Sequence, residues 1–192
     1  MFVQIGQLLV DVVASFFVFL LLARFHFQWL RVPFRNPIGE FIVAGTNWAV
    51  RPARKVVPPL AGLDLATLLA ALLLQALALY LMGALAGGGL GQEPGRMIAV
   101  LAVGAAFDVA RYSLYILVFA VVVQAVLSWT NPHSPVQPLF DAMTRPFLRP
   151  LRRVIPLLGS VDLSPLVLLV LLQVALILLA GLRGMAGSLF SG

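Results

Sequence analysis

The sequence contains no cysteine, only two histidines, and only seven acidic side chains among 192 residues. The missing thiols exclude a disulfide framework, thiolate metal sites and a cysteine nucleophile. The seven carboxylates are scattered, so no close pair for acid–base work presents itself. His26 and His133 have no acidic partner at metal-ligand spacing. The glycine-rich stretch from Gly87 to Gly91 lacks the lysine and the helix start of a phosphate loop. We therefore expect no catalytic residues, no metal and no cofactor. Charge of either sign is scarce: Asp, Glu, Lys and Arg make up 10% of the chain, against 61% apolar residues. Soluble domains carry about 25% charged residues. This chain cannot cover a water-soluble globule, which excludes a soluble domain, a disordered chain and an ordinary nucleic-acid-binding domain.

What the chain does have is long apolar runs. A membrane crossing needs about 20 apolar residues. Ile5–Phe25, Leu63–Ala86 and Leu163–Leu182 each supply one, as does Arg111–Leu127 with Trp129 beyond it. The first run is too long and too Phe-rich for a signal-peptide core and reads as a retained span. Met97–Phe107 is too short to cross alone and reads as an interfacial or half-inserted helix. The fold class is thus an all-α membrane protein with four transmembrane helices and short amphipathic interfacial helices. The net charge of +6 is a topology signal rather than a nucleic-acid footprint. Arg24, Arg31, Arg35, Arg51, Arg54 and Lys55 lie between the first two spans, and Arg145, Arg149, Arg152 and Arg153 between the last two. Both segments should face the cytoplasm, with both termini outside.

The two basic segments resemble each other. With Thr46 laid over Thr144, Arg51 meets Arg149, Arg54 meets Arg152, Pro58 meets Pro156, Asp64 meets Asp162 and Gln75 meets Gln173. The agreement runs in order and without gaps, which indicates an internal duplication. Residues 1–95 form a first repeat (span, basic amphipathic segment, span). Residues 96–192 form a second (interfacial helix, span, basic amphipathic segment, span). An even number of crossings per unit makes the repeats parallel, about an axis along the membrane normal.

In the second unit Arg145, Arg149 and Arg152 recur at helical spacing, with Phe147, Leu148, Leu151, Val154 and Ile155 opposite. This predicts an amphipathic helix at headgroup level, capped by Thr144 and kinked or restarted at Pro150. Arg51, Arg54 and Lys55 repeat the plan. These arginines either anchor the topology or, with Arg153, bind anionic lipid or a partner. Asp64 and Asp162 stand just before their spans, as N-caps, as partners for an arginine of the preceding segment, or as both. Pro58, Pro156 and Gly159 complete a junction of stop, short turn and capped start. Inside the spans, Asp108 and Arg111 lie three apart and should pair. Gln75 and Gln173 offer amides for packing across the repeat axis or for lining a path. Asp11 sits near the outer headgroups or partners Arg111.

The stretch RPFLRPLRRVIPLLGSVDLSPLVLLVLL, Arg145 to Leu172, with its weaker copy RPARKVVPPLAGLDLATLLAALLLQ, Arg51 to Gln75, resembles the YggT family of bacterial integral membrane proteins, called YlmG in other lineages. The first copy departs from the motif at Lys55, Ala61 and Thr67, which points to the second unit as the carrier of any motif-dependent function. The resemblance implies a multi-pass inner-membrane protein without known catalysis, associated with osmotic or extracytoplasmic stress and potassium homeostasis. Members elsewhere are linked to cell division and to nucleoid or thylakoid organisation. The expected function is a non-enzymatic organiser or adaptor that binds anionic headgroups. A membrane or cytoplasmic protein partner, or a second copy of the chain, remains open, and no nucleic acid is expected. The alternative is a potassium-related transport or channel component, which would need a polar path between the units.

Overall fold

The computed structural model describes residues 1–58, 63–87, 93–131, 133–155 and 162–191. They form α1 (Phe2–Trp29), α2 (Pro37–Val56), α3 (Leu65–Leu85), α4 (Pro94–Thr130), α5 (Gln137–Val154) and α6 (Ser164–Ser191). Of these, α1, α3, α4 and α6 are long and apolar enough to cross a membrane. Most of their side chains point outward: Leu8, Leu9, Phe16, Leu73, Leu77, Phe119, Val170, Ile177 and Leu178 are all exposed. An apolar belt of this extent is tolerable only against lipid.

The bundle is assembled as two triplets. In the first, α1, α2 and α3 each pack on the other two; in the second, α4, α5 and α6 do the same. The triplets meet where α4 lies against α3 and α1. Helices in lipid associate through close packing rather than through exclusion of water. Accordingly α3 turns the small residues Ala66, Ala70, Ala71 and Ala78 inward, and α1 fills the space with Val18, Leu21 and Leu22.

α1 ends in a left-handed turn. The Val32 amide bonds to Phe27 O at 2.8 Å and the Arg31 amide to Gln28 O at 3.2 Å, with Arg31 at φ 54°. This is the bonding of a Schellman cap, whose left-handed position usually holds glycine. Asn36 then caps α2, accepting from the Gly39 amide at 2.9 Å. The link folds so closely over the start of α2 that a Cβ on Gly39 would collide with the Phe34 carbonyl.

Several expectations are corrected here. Met97–Phe107 is not a separate lateral helix; it is continuous with the span as part of the 37-residue α4. No proline stands between Met97 and Trp129, and Gly104 alone does not end the helix. The acid that seemed to mark a boundary, Asp108, is satisfied in place. At 1.5 Å per residue α4 is roughly 55 Å long. That exceeds the hydrocarbon thickness of about 30 Å. Its C-terminal part packs against α5, with Phe119 edge-on to Phe140. Thr144 does not cap α5, which starts at Gln137; it is buried in mid-helix and donates to Phe140 O at 2.9 Å. α5 continues through Pro146 and Pro150, and α2 through Pro52. The carbonyl bonds those prolines forgo are offset by buried faces, Val50 on α2 and Leu148 on α5. α6 runs past Leu182 and so contains Arg183. Pro156 and Gly159 lie outside the described residues.

Candidate functional site

Two groups of charged side chains carry the ion pairs of the described residues: a basic end, where α2 and α5 meet the starts of α3 and α6, and a cluster within the spans.

At the basic end each carboxylate accepts an amide of a span's first turn and holds an arginine ten residues back. Asp64 accepts from the Thr67 amide at 3.3 Å and from the Thr67 hydroxyl at 2.7 Å, and its other partner is the Arg54 guanidinium. Asp162 accepts from the Ser164 amide at 2.9 Å and from Arg152 Nε at 2.8 Å. The same contact thus recurs at equivalent positions of the two triplets. So does the hydroxyl back-bond: Thr46 donates to Ile42 O at 2.6 Å as Thr144 does to Phe140 O. Burial pushes the pKa of Asp64 up, but the hydrogen bonds from Arg54 and Thr67 outweigh it and hold the carboxyl below the ordinary carboxylate range. Asp162 shifts the same way: burial raises its pKa, and Ser164 and Arg152 bring it down further.

The remaining cations divide into paired and free. Arg145 pairs with Asp141 at 2.5 Å on the surface of α5. Arg51, Lys55, Arg149 and Arg153 are exposed and form no ion pair among the described residues. They occupy matching positions on α2 and α5. The apolar side of this end is partly bare as well, with Trp48, Val56 and Val154 exposed.

Arg24 belongs to neither group. Grouped by sequence with the basic loop, it is instead in the last turns of α1 and only 6% exposed. It donates to Thr46 Oγ1 at 2.8 Å and Asn47 Oδ1 at 3.0 Å, tying α1 to α2. His26 is likewise buried in α1, with Nδ1 donating to Leu22 O at 2.7 Å. Neutral amide and hydroxyl partners on a neighbouring helix give no charge pattern to read, so sequence inspection had no signal for the Arg24 contact.

The intramembrane cluster centres on Asp108, which is 2% exposed. Arg111 approaches it at 3.0 Å, and Gln75 Nε2 donates to it at 3.0 Å. Arg183 donates to both of its oxygens. The cluster therefore joins α3, α4 and α6. Gln75 does not meet Gln173, which is exposed on α6. Asp11 does not meet Arg111; it is exposed and accepts from Ser15 at 3.4 Å, while the Ser15 hydroxyl lies 3.1 Å from that of Tyr112. Arg183 was missed because the last apolar run seemed to end at Leu182.

The sequence profile of the CCB3/YggT family matches this chain over residues 3–85 and again over 103–183. The chain belongs to the CCB3/YggT family. It is 31% identical to an uncharacterized Pseudomonas aeruginosa protein over 182 residues, 93% of this chain and 90% of that one. It is 29% identical to the uncharacterized protein YggT of Escherichia coli K12 over 168 residues, 86% of this chain and 84% of YggT. An uncharacterized protein of Vibrio alginolyticus is 29% identical over 177 residues, 92% and 94% of the two chains. No solved structure matches the chain. The two family matches take in α1 to α3 and most of α4 to α6.

Proposed function

We propose that this CCB3/YggT protein is a non-enzymatic organiser of the bacterial inner membrane, built by duplication of a span–basic helix–span unit. The observation that carries the reading is the matched set of free cations, Arg51 and Lys55 on α2 with Arg149 and Arg153 on α5, beside exposed Trp48, Val56 and Val154. The Arg54–Asp64 and Arg152–Asp162 pairs fasten each basic helix to its span, so the free cations are presented at a fixed height. Such a surface suits the anionic headgroups of the cytoplasmic leaflet, or an acidic membrane or cytoplasmic partner lying along it. A role in osmotic or extracytoplasmic stress is consistent with a protein that reads the state of its bilayer. The groove between the triplets is lined by Phe19, Phe27, Phe41, Ile116, Phe119 and Phe140, which offer an ion no ligand and favour the organiser over the transport reading.

Replacing Arg51, Lys55, Arg149 and Arg153 together by Gln should remove the salt-sensitive part of the full-length protein's preference for phosphatidylglycerol over phosphatidylcholine. Each charge is worth about 1 kcal/mol near an anionic surface, so about 4 kcal/mol is at stake. Native mass spectrometry of the solubilised protein across a salt series would measure it. The wild-type preference should weaken with salt, and an unaltered preference in the variant would remove the basis of this reading.

Orientation has its own test. Reporter fusions at Gly89 and at the C-terminus should be active on the outer side, and a fusion after Pro138 in the cytoplasm. A cytoplasmic C-terminus would contradict the assignment of the basic end.

A further inference from the structure

Arg111 and Arg183 share a single carboxylate, so the cluster at α4 and α6 carries one surplus positive charge. The charges are not shown outward equally. The Asp108 side chain is only 3% exposed, whereas those of Arg111 and Arg183 are 41% and 42% exposed. Both guanidinium-bearing side chains line an open groove of about 400 Å³ between the helices, with Phe107, Leu176, Leu179 and Gly184 as its other walls. Arg111 Nε is buried with no hydrogen-bond partner. An uncompensated guanidinium beside hydrocarbon is costly, and such groups face a counter-charge or water.

The position of the groove narrows the counter-charge. Arg183 follows Ser164 by 19 residues along α6, and Arg111 precedes Thr130 by the same number along α4. That is roughly 28 Å of helix from the basic end. The groove therefore opens about one hydrocarbon thickness away, where the headgroups of the opposite leaflet begin. A second copy of the chain docked isologously on this face would set arginine against arginine. The width of the groove is also left unfilled by the protein itself: a Cβ on Gly184 would meet nothing within 4 Å.

We propose that this groove binds a phosphate oxyanion, carried by an anionic lipid headgroup or free in solution. Arg183 and Arg111 donate to it, and Asp108, itself bonded by Gln75, holds the arginines in place from behind. Guanidinium forks match phosphate oxygens with paired, charge-assisted bonds. The site is separate from the basic helices and does not depend on their role.

The test uses full-length protein in which Arg51, Lys55, Arg149 and Arg153 are already Gln, so the unpaired cations of α2 and α5 are gone. Native mass spectrometry would count retained phosphatidylglycerol, retained phosphatidylcholine, and inorganic phosphate offered with phosphatidylcholine. We expect one tightly held anion per chain. Phosphatidylglycerol retained in the presence of phosphate identifies a lipid site; displacement by phosphate identifies a free-anion site. Adding Gly184→Leu, which fills the groove and leaves every charge, should weaken retention about tenfold, as should Arg183→Gln, the loss expected for one charge-assisted hydrogen bond. Gly181→Leu, a change into open space on α6, should not. Arg183→Gln should keep its fold because Asp108 retains Arg111 and Gln75. Failure of the parent to hold any of the probes would overturn the proposal. So would normal retention in Gly184→Leu accompanied by thermal destabilisation in Arg183→Gln, since Arg183 would then be a structural ion-pair partner only.

Discussion

Asp108→Ala should destabilise the bundle by about 3–5 kcal/mol, the cost of removing one partner of a buried ion pair. Asp108 is the common acceptor for Gln75, Arg111 and Arg183, so α3, α4 and α6 converge on its side chain. Its removal leaves two guanidiniums and an amide without an acceptor beside apolar surroundings. The lower half of the range applies to the extent that both arginines already reach the open groove and can turn outward. Asp108→Asn should fall between wild type and Ala, because it keeps an acceptor oxygen for Gln75 but not the charge. Replacing Asp108, Arg111 and Arg183 together by Leu should recover most of the loss, since buried charge networks exchanged for apolar groups are often neutral. Thermal unfolding in detergent, with the helical signal as readout, would rank the variants. If Asp108→Ala and wild type unfold alike, the cluster does not hold the bundle together.

The contrast between Asp108 and Arg24 shows what the sequence could and could not reveal. The pairing of Asp108 with Arg111 was legible because both stand on one helix, three residues apart. The partners from α3 and α6 were not, because contacts between distant helices leave no mark in spacing. Four spans were legible from apolar length alone. The continuity of α4 was not: a charge inside an apolar run reads as a boundary until its partners are known. The basic helices were legible from periodicity, but their starts were placed too late. Arg145 begins the basic pattern, whereas α5 begins at Gln137, where Leu139, Phe140 and Met143 turn inward. Separating free from paired cations needed coordinates. Arg145 and Arg152 look the same in sequence as Arg149 and Arg153, yet the first two are spent on Asp141 and Asp162. The sequence also pointed to the second unit as the one where the motif matters, since Lys55, Ala61 and Thr67 depart from it in the first. Thr67 itself contradicts a simple ranking, for its hydroxyl and amide both serve Asp64.

That difference leads to an asymmetric expectation for the two junctions. Asp64→Ala should cost about 2–3 kcal/mol and Asp162→Ala about 1 kcal/mol. Both remove a carboxylate that accepts a first-turn amide, worth about 1 kcal/mol alone, although Asp64 is the N-cap of α3 whereas Asp162 stands one residue before the N-cap position of α6. Asp64, however, is 4% exposed and accepts from Arg54 and twice from Thr67, so its loss also strands the Thr67 hydroxyl in the interior. The Asp162 side chain is 29% exposed and Arg152 is exposed beside it, so water replaces the missing charge at little cost. Asn substitutions separate cap from charge. Asp162→Asn should regain nearly all of the loss, because Asn caps almost as well as Asp. Asp64→Asn should regain only part, because the Arg54 pair is gone. The pH dependence follows the same order. Both carboxyls titrate below their ordinary range when folded, so the stability they confer is complete above that range and is lost as pH falls through the depressed folded values. Acid unfolding should therefore flatten in the Asn variants, and more for Asp64 than for Asp162. Equal losses for the two Ala variants, or a steeper acid limb for Asp162, would mean that burial does not set the strength of these junctions.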